Sequence, residues 1–468
     1  MERRTFLQIV GGVAMQVAWA PGVVFAADPP PPSRHVVIAN AHVLPVDGAA
    51  FDGMVEIENG RFTYVGPRRA PNPSASFIDA QGAWLVPGFV DPHSHMGVYS
   101  YPGVEANSDG NEATDPVTPQ VRSIDAINLE DPAFLMAVMG GVTSAFVIPG
   151  SANIIGGQGS IIKLIPGANI DQRIVLSPGG MKMATGENPK RTYGGRGQLP
   201  ATRMGIAAGF REAFTAAQNY KAKWDRYEEK EREYDTKYAA WQTGNGALAD
   251  EPERPEPPEI DIKLDALKQV LERKIPVHCH CHRADDILLV LRLREEFGFD
   301  LAALHHATEA YLVIDEIKRA NVPVVQFATY WAGAKIELDN MTPKNPGLCY
   351  KAGLKVALHT DHPVVSQEYF RDEGALAWAQ GMPHDATLRA MTLTPAEILR
   401  VDKRLGSITV GKDADCTLFS GDPLDIQSHA LKVWIDGSLA YDRSNGGIVG
   451  APTPGPDTLL WNTNGPWC

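Results

Sequence analysis

The stretch that decides the fold is "WLVPGFVDPHSH", residues 84–95. A short apolar run punctuated by Pro87 and Gly88 and closed by polar residues reads as a buried strand. His93 and His95 lie two apart at its end. Side chains two apart on a strand face the same side, so both imidazoles can share one metal ion. An H-x-H pair alone is weak, because histidine pairs arise by chance. Its weight comes from what surrounds it.

Outward from this strand the chain repeats one rhythm. "GVTSAFVIPG", "RIVLSPGGMKMATGE", "IPVHCHCH", "LAALHHATE", "VPVVQFATY" and "LKVALHTDH" are short apolar segments, most of them followed by helical patterns. Repeated strand-to-helix alternation implies a parallel sheet. Histidines and acids gathered at strand C-terminal ends imply a (β/α)8 TIM barrel over residues 84–400, with its chemistry on that rim. The two ends read differently. Residues 28–83 ("HVVIANAHVLPV", "GMVEIENGRFTYVG") and 401–445 ("CTLFSGDPL", "HALKVWIDGSLAYD") alternate apolar and polar residues between turns. They predict one small composite β-sandwich built from both termini, followed by a tail, 446–468.

One insertion, 205–262, interrupts the barrel. Residues 205–243 predict a long charged helix whose Tyr220, Trp224, Tyr227, Tyr234, Tyr238 and Trp241 recur at three- and four-residue steps. A stripe of that period is a packing face, in the core or in a homo-oligomer contact. The Pro- and Glu-rich "ADEPERPEPPE" that follows predicts an extended linker.

Bulk properties narrow the function. The 468 residues are 44% hydrophobic and 21% charged, with a formal net charge of -13. That balance argues against nucleic acid as a partner, since phosphate binding needs a basic face. Five cysteines at irregular spacing exclude a disulfide framework. Residues 1–27 open with Arg3 and Arg4, continue through an apolar Gly- and Ala-rich stretch and reach small residues near Ala26. This pattern resembles a twin-arginine export signal and implies a periplasmic or secreted protein. The alternative is an uncleaved membrane anchor. No later apolar run approaches membrane-spanning length.

The elements "LVPGFVDPHSH", two later strands ending in histidine, "HTDH" and the closing "LGSITVGKDADCTLFSGDPL" resemble the amidohydrolase superfamily in its order, over about residues 35–445. Within it the chain resembles the imidazolonepropionase- and prolidase-related branch. The resemblance implies a distorted barrel with a composite sandwich, and metal-dependent hydrolysis of an amide or peptide-like C–N bond in a small-molecule substrate. It assigns His93, His95, His280, His306 and Asp361 as metal ligands. Neutral imidazoles with one carboxylate suit zinc, in one or two ions per chain.

A bridging ligand has two candidates. Lys182, once carboxylated, matches one branch of the family, and Glu187 matches another. A strand ending at "TGE" would put Glu187 on the rim, which favours Glu187. With two cations about 3.5–4 Å apart, a hydroxide would lie between them, and Asp361 would shuttle its proton to the leaving amine. His282, on the same strand side as His280, is placed at the mouth as a second catalytic candidate, touching substrate or backing a metal's ligands. His278 is read as a core histidine, and His305 as pointing away from the side of His306. The glycines of "PGSANIIGGQGS" suggest a close backbone approach to a ligand. Lys190, Arg191, Tyr193, Arg196, Arg203 and Arg283 are candidates to hold a substrate carboxylate. Rival readings are a mononuclear deaminase or cyclic-amide hydrolase, and a non-catalytic assembly protein that would need lost ligands.

Overall fold

The computed structural model describes residues 35–244, 250–329, 335–445 and 447–449. The export-signal segment 1–27 and nearly all of the tail 446–468 lie outside them. Strands β1 (Val36–Val43), β2 (Phe51–Glu58), β3 (Arg61–Gly66), β4 (Ser76–Asp79) and β5 (Trp84–Pro87) come from the N-terminal end. The barrel follows with β6 (Phe89–Ser94), β7 (Val142–Val147), β8 (Ile155–Lys163), β9 (Ile174–Ala184), β10 (Val277–Cys281), β11 (Leu301–His306), β12 (Val324–Gln326) and β13 (Val356–Leu358). β14 (Cys416–Phe419), β15 (Ala430–Ile435), β16 (Ser438–Asp442) and β17 (Gly447–Ile448) close the chain.

Both ends form one sheet, in the order β17-β16-β15-β14-β5-β1-β2-β3, with β4 on β1. Its arms enclose a single core in which Ile38, Val55 and Phe62 of the first end meet Leu418 and Trp434 of the second. This is the composite sandwich. β5 belongs to it by pairing with β1 and β14, so the barrel begins one strand later than residue 84. A buried clasp ties the domains together: Lys163, at the end of β8, donates to Asp413 (2.8 Å), Asp415 (3.2 Å) and Asp436.

The barrel strands follow the order β6 to β13. Every neighbouring pair is parallel except the two made by β8, which runs antiparallel to β7 and β9. Strict strand-to-helix alternation therefore fails at one place. β7 turns directly back at the rim through residues 148–154, and that turn borders the histidine cluster. The sheet closes where His95 N–H donates to His362 O (3.0 Å) and Asp361 N–H to His93 O (3.1 Å). At the opposite end Ala303, Val325 and Ala357 pack on Ile398, filling the floor. A packed floor leaves only the upper layer of inward positions for chemistry.

The insertion forms a 40-residue helix, Arg203–Gln242, begun by Thr202, whose hydroxyl accepts from Gly205 N–H (3.0 Å). Its first half buries Ile206, Phe210, Phe214 and Tyr220, with Phe214 stacked on Phe297 and Phe299. Beyond Tyr220 no side chain is fully buried, and the linker returns along the helix, where Arg254 pairs with Glu231 (2.7 Å). Among the described residues no helix is long and apolar enough to cross a membrane.

Candidate metal centre

Strand alternation divides "VHCHCH". Cys279 and Cys281 face the surrounding helices within the main core, while His278, His280 and His282 face the barrel interior. Burial pushes both thiols up, so neither is a ready thiolate. On β11 the rule breaks. Ala303 lies inside, on the floor, so His305 also points inward, and His306 is opposite outward-facing Cys281. His306, however, has φ 64, and this left-handed turn swings its imidazole back into the barrel. Both histidines are interior. The expectation that His305 points away fails because alternation holds only for extended backbone.

The interior side chains collect in two groups. The first is His93, His306 and Asp361, and the second is His280, His282 and Glu337; within each, the donor atoms lie within 4.8 Å of one another. In the first, Asp361 Oδ1 is 3.2 Å from His93 Nε2 and 3.1 Å from His95 Nε2, with Oδ2 3.9 Å from His306 Nδ1. Asp361, like His306, is held in a left-handed conformation, φ 53. Strained non-glycine backbone of this kind clusters at functional sites. The His306 ring lies between the groups, 4.8 Å from that of His93 and 4.5 Å from that of His280.

Every candidate histidine ligand except His306 is oriented through its other ring nitrogen. His95 Nδ1 bonds Ile148 O (2.6 Å), His280 Nδ1 contacts Ser151 Oγ (3.0 Å), and His282 Nδ1 contacts Thr308 Oγ1 (2.7 Å). Such outer partners fix a ring's tautomer and aim its free nitrogen. Ile148 and Ser151 belong to the rim turn after β7, as does Pro149, whose carbonyl accepts from Lys182 Nζ (2.8 Å). Residues 148–151 thus orient His95, His280 and Lys182. His93 uses a different device. Its Nδ1 is 2.7 Å from His305 Nδ1, and His305 Nε2 is 2.8 Å from His278 Nδ1, a buried chain of three imidazoles.

Electrostatics suit cation binding. Burial drives the imidazoles of His93, His280, His282 and His306 well below their ordinary range, so they stand neutral with a lone pair available. Burial would raise the Asp361 carboxyl, but His306, His95 and His359 hold it well below the usual carboxylate range. Burial pushes Glu337 up to about 7. The donor set of neutral nitrogens and carboxylates fits a borderline divalent ion. His280 Nε2, both His306 ring nitrogens and Glu337 Oε1 are buried without a hydrogen-bond partner, which leaves lone pairs that an ion could take.

The two bridge candidates stand in different places. Lys182 is fully buried on β9, with Nζ 3.5 Å from His93 Nε2. Glu187 does not end a strand. β9 stops at Ala184, Gly186 at φ 83 turns the chain outward, and Glu187 begins the helix Glu187–Gly194. Its carboxylate is 3.7 Å from Arg191, and its backbone N–H donates to Glu337 Oε2 (2.9 Å).

The groups open into a narrow cleft lined by Ser151, Asn188, Phe327, Lys335, Leu338 and Val364, together with His280, His282 and Asp361. The cations expected to hold a carboxylate are placed otherwise. Arg283 grips Asp285 with two bonds of 2.9 Å, and Arg203 grips Asp286 (3.0 Å). Tyr193 is buried and donates to Asp115 O (2.9 Å); Lys190 and Arg191 are not among the cleft-lining residues. Sequence reasoning missed Glu337 and Lys335. Both sit in a loop beyond β12 that carries no motif; a buried acid flanked by apolar Ile336 and Leu338 is the only local sign.

Comparison with known proteins agrees with this architecture. The amidohydrolase family profile matches residues 84–449. The chain is 40% identical to an amidohydrolase from Thermotoga maritima MSB8 of known crystal structure, with TM-score 0.78, covering 87% of this chain and 100% of that one. It is 34% identical over 417 residues to the amidohydrolase tasK of Hapsidospora irregularis, covering 83% of this chain; the chain spans about 40% of that relative's length. A 49-residue stretch is 45% identical to the imidazolonepropionase of Salinispora arenicola, 10% of this chain and 12% of that protein.

Proposed function

The chain belongs to the amidohydrolase family, and from that premise we propose that it is a metal-dependent hydrolase cleaving an amide or peptide-like C–N bond in a small, carboxylate-bearing substrate. The observation that carries this reading is the pair of buried donor groups opening on one cleft, with Asp361 shared between the first group and the cleft wall. Divalent ions bound there supply a Lewis acid for the scissile carbonyl and lower the pKa of water.

The protein's own residues do the rest. Asp361, kept ionised by the imidazoles around it, accepts a proton from water and returns it to the departing amine. Phe327, Leu338 and Val364 make an apolar wall that limits water around the reacting carbonyl. Lys335 is the one cation among the described residues lining the cleft, and its charge also bears on Glu337. A substrate carboxylate is its natural counter-charge. Arg203 and Arg283, already neutralised by Asp286 and Asp285, are poorer candidates.

The test is a hydrolysis screen over N-acyl amino acids, dipeptides and lactams, with protein stripped by chelator and reloaded with zinc, manganese or cobalt. Expected is cleavage of carboxylate-bearing amides that disappears on stripping and returns on reloading. Chelator-resistant cleavage, or no hydrolysis by the fully loaded protein, overturns the proposal.

A further inference from the structure

We propose that His280, His282 and Glu337 form a discrete three-ligand cation site, so that Glu337, delivered by the loop beyond β12, is itself a metal ligand. The family resemblance assigns His280 and His306 as ligands and offers Lys182 or Glu187 as the bridge, without Glu337. The geometry divides the ligands differently. His306 gathers with His93 and Asp361, while His280 gathers with His282 and Glu337.

Three separate side chains each have one donor atom committed elsewhere and one left over. Ser151 takes Nδ1 of His280, Thr308 takes Nδ1 of His282, and Glu187 N–H takes Oε2 of Glu337. The atoms left over are His280 Nε2, His282 Nε2 and Glu337 Oε1, and the last two are 3.9 Å apart. Two of the three, His280 Nε2 and Glu337 Oε1, are buried with no partner. The three residues are no more than 4% exposed. Burying a carboxylate oxygen beside two imidazole lone pairs is costly, and a cation among them offsets that cost.

The surroundings hold Glu337 in place. Arg203 Nη2 lies 3.7 Å from Glu337 Oε2 while bonding Asp286, fixing the back of the carboxylate. Gly186 makes room, since a Cβ there would stand 2.5 Å from Glu337 Oε2. Two imidazoles and one carboxylate is a donor set for zinc or a similar divalent ion, with a fourth position facing the cleft.

This inference rests on the metal dependence proposed above, and its test separates the two. Zinc-loaded protein is analysed by elemental content and by anomalous diffraction at the zinc edge, alongside E337Q and H282N. Expected are two ions per chain, one of them about 2.0–2.2 Å from His280, His282 and Glu337, with each variant keeping only the ion at His93 and Asp361. Wild-type stoichiometry in E337Q, or an anomalous peak on His280 and His306 without Glu337, overturns the site. The map of the unaltered protein decides the matter even where a variant fails to fold. One ion at the first group with intact amide hydrolysis refutes this site alone; absence of any bound metal removes both proposals.

Discussion

Replacing Asp361 by Asn isolates a single charge. Asp361 lies at φ 53, a region that Asn visits more readily than most residues, so the backbone keeps its path. The side chain also keeps its shape. What disappears is the negative charge set 3.1 and 3.2 Å from two imidazole nitrogens, and with it the ability to take a proton. A positioned general base contributes about 10²–10⁴-fold, or about 2.7–5.4 kcal/mol of barrier at roughly 1.36 kcal/mol per decade. Asp361 is also a candidate ligand, so the assay must hold metal in excess and report metal content beside kcat. Expected is a fall in kcat within that range, in protein that still binds the ion of the second group. Turnover close to that of the unaltered protein, on the best substrate from the screen, would refute the role.

Three further outcomes follow from the same geometry. Lys335→Ala should raise KM about 10- to 100-fold for carboxylate substrates, the worth of one charged hydrogen bond, and leave the matching amide-capped substrates unchanged; equal effects on both would sink carboxylate recognition. Gly186→Ala places a Cβ 2.5 Å from Glu337 Oε2 on a backbone at φ 83, so zinc titration should show one ion weakened and the other intact, and two unaltered ions would contradict it. Lys163→Met leaves Asp413, Asp415 and Asp436 without their shared cation; the loss should be about 3–5 kcal/mol, read as a lowered unfolding temperature at fixed scan rate. An unchanged unfolding temperature would show that the clasp adds nothing.

Much of the barrel is written locally. Two histidines at i and i+2 on an apolar strand must share a side, and the β/α rhythm after it sets the rim on which they sit. His280 and the two outward cysteines follow from the same alternation, as does the sandwich texture of both ends. The departures have identifiable causes. β8 reverses direction because residues 148–154 form a tight turn rather than a crossover, and a short apolar run looks the same in either direction. His306 faces inward only because its φ is 64, which no side-chain pattern announces.

By itself, then, the sequence determined which strands bring histidines and acids to the rim and which way most of their residues face, because those properties depend on near neighbours along the chain. Tertiary structure alone decided the second group. Glu337 comes from a loop 55 positions after His282, and Glu187, which positions it, comes from 150 positions earlier. Only closure of the barrel brings them together, and the proposed cation site rests on the buried, partnerless atoms left by that closure.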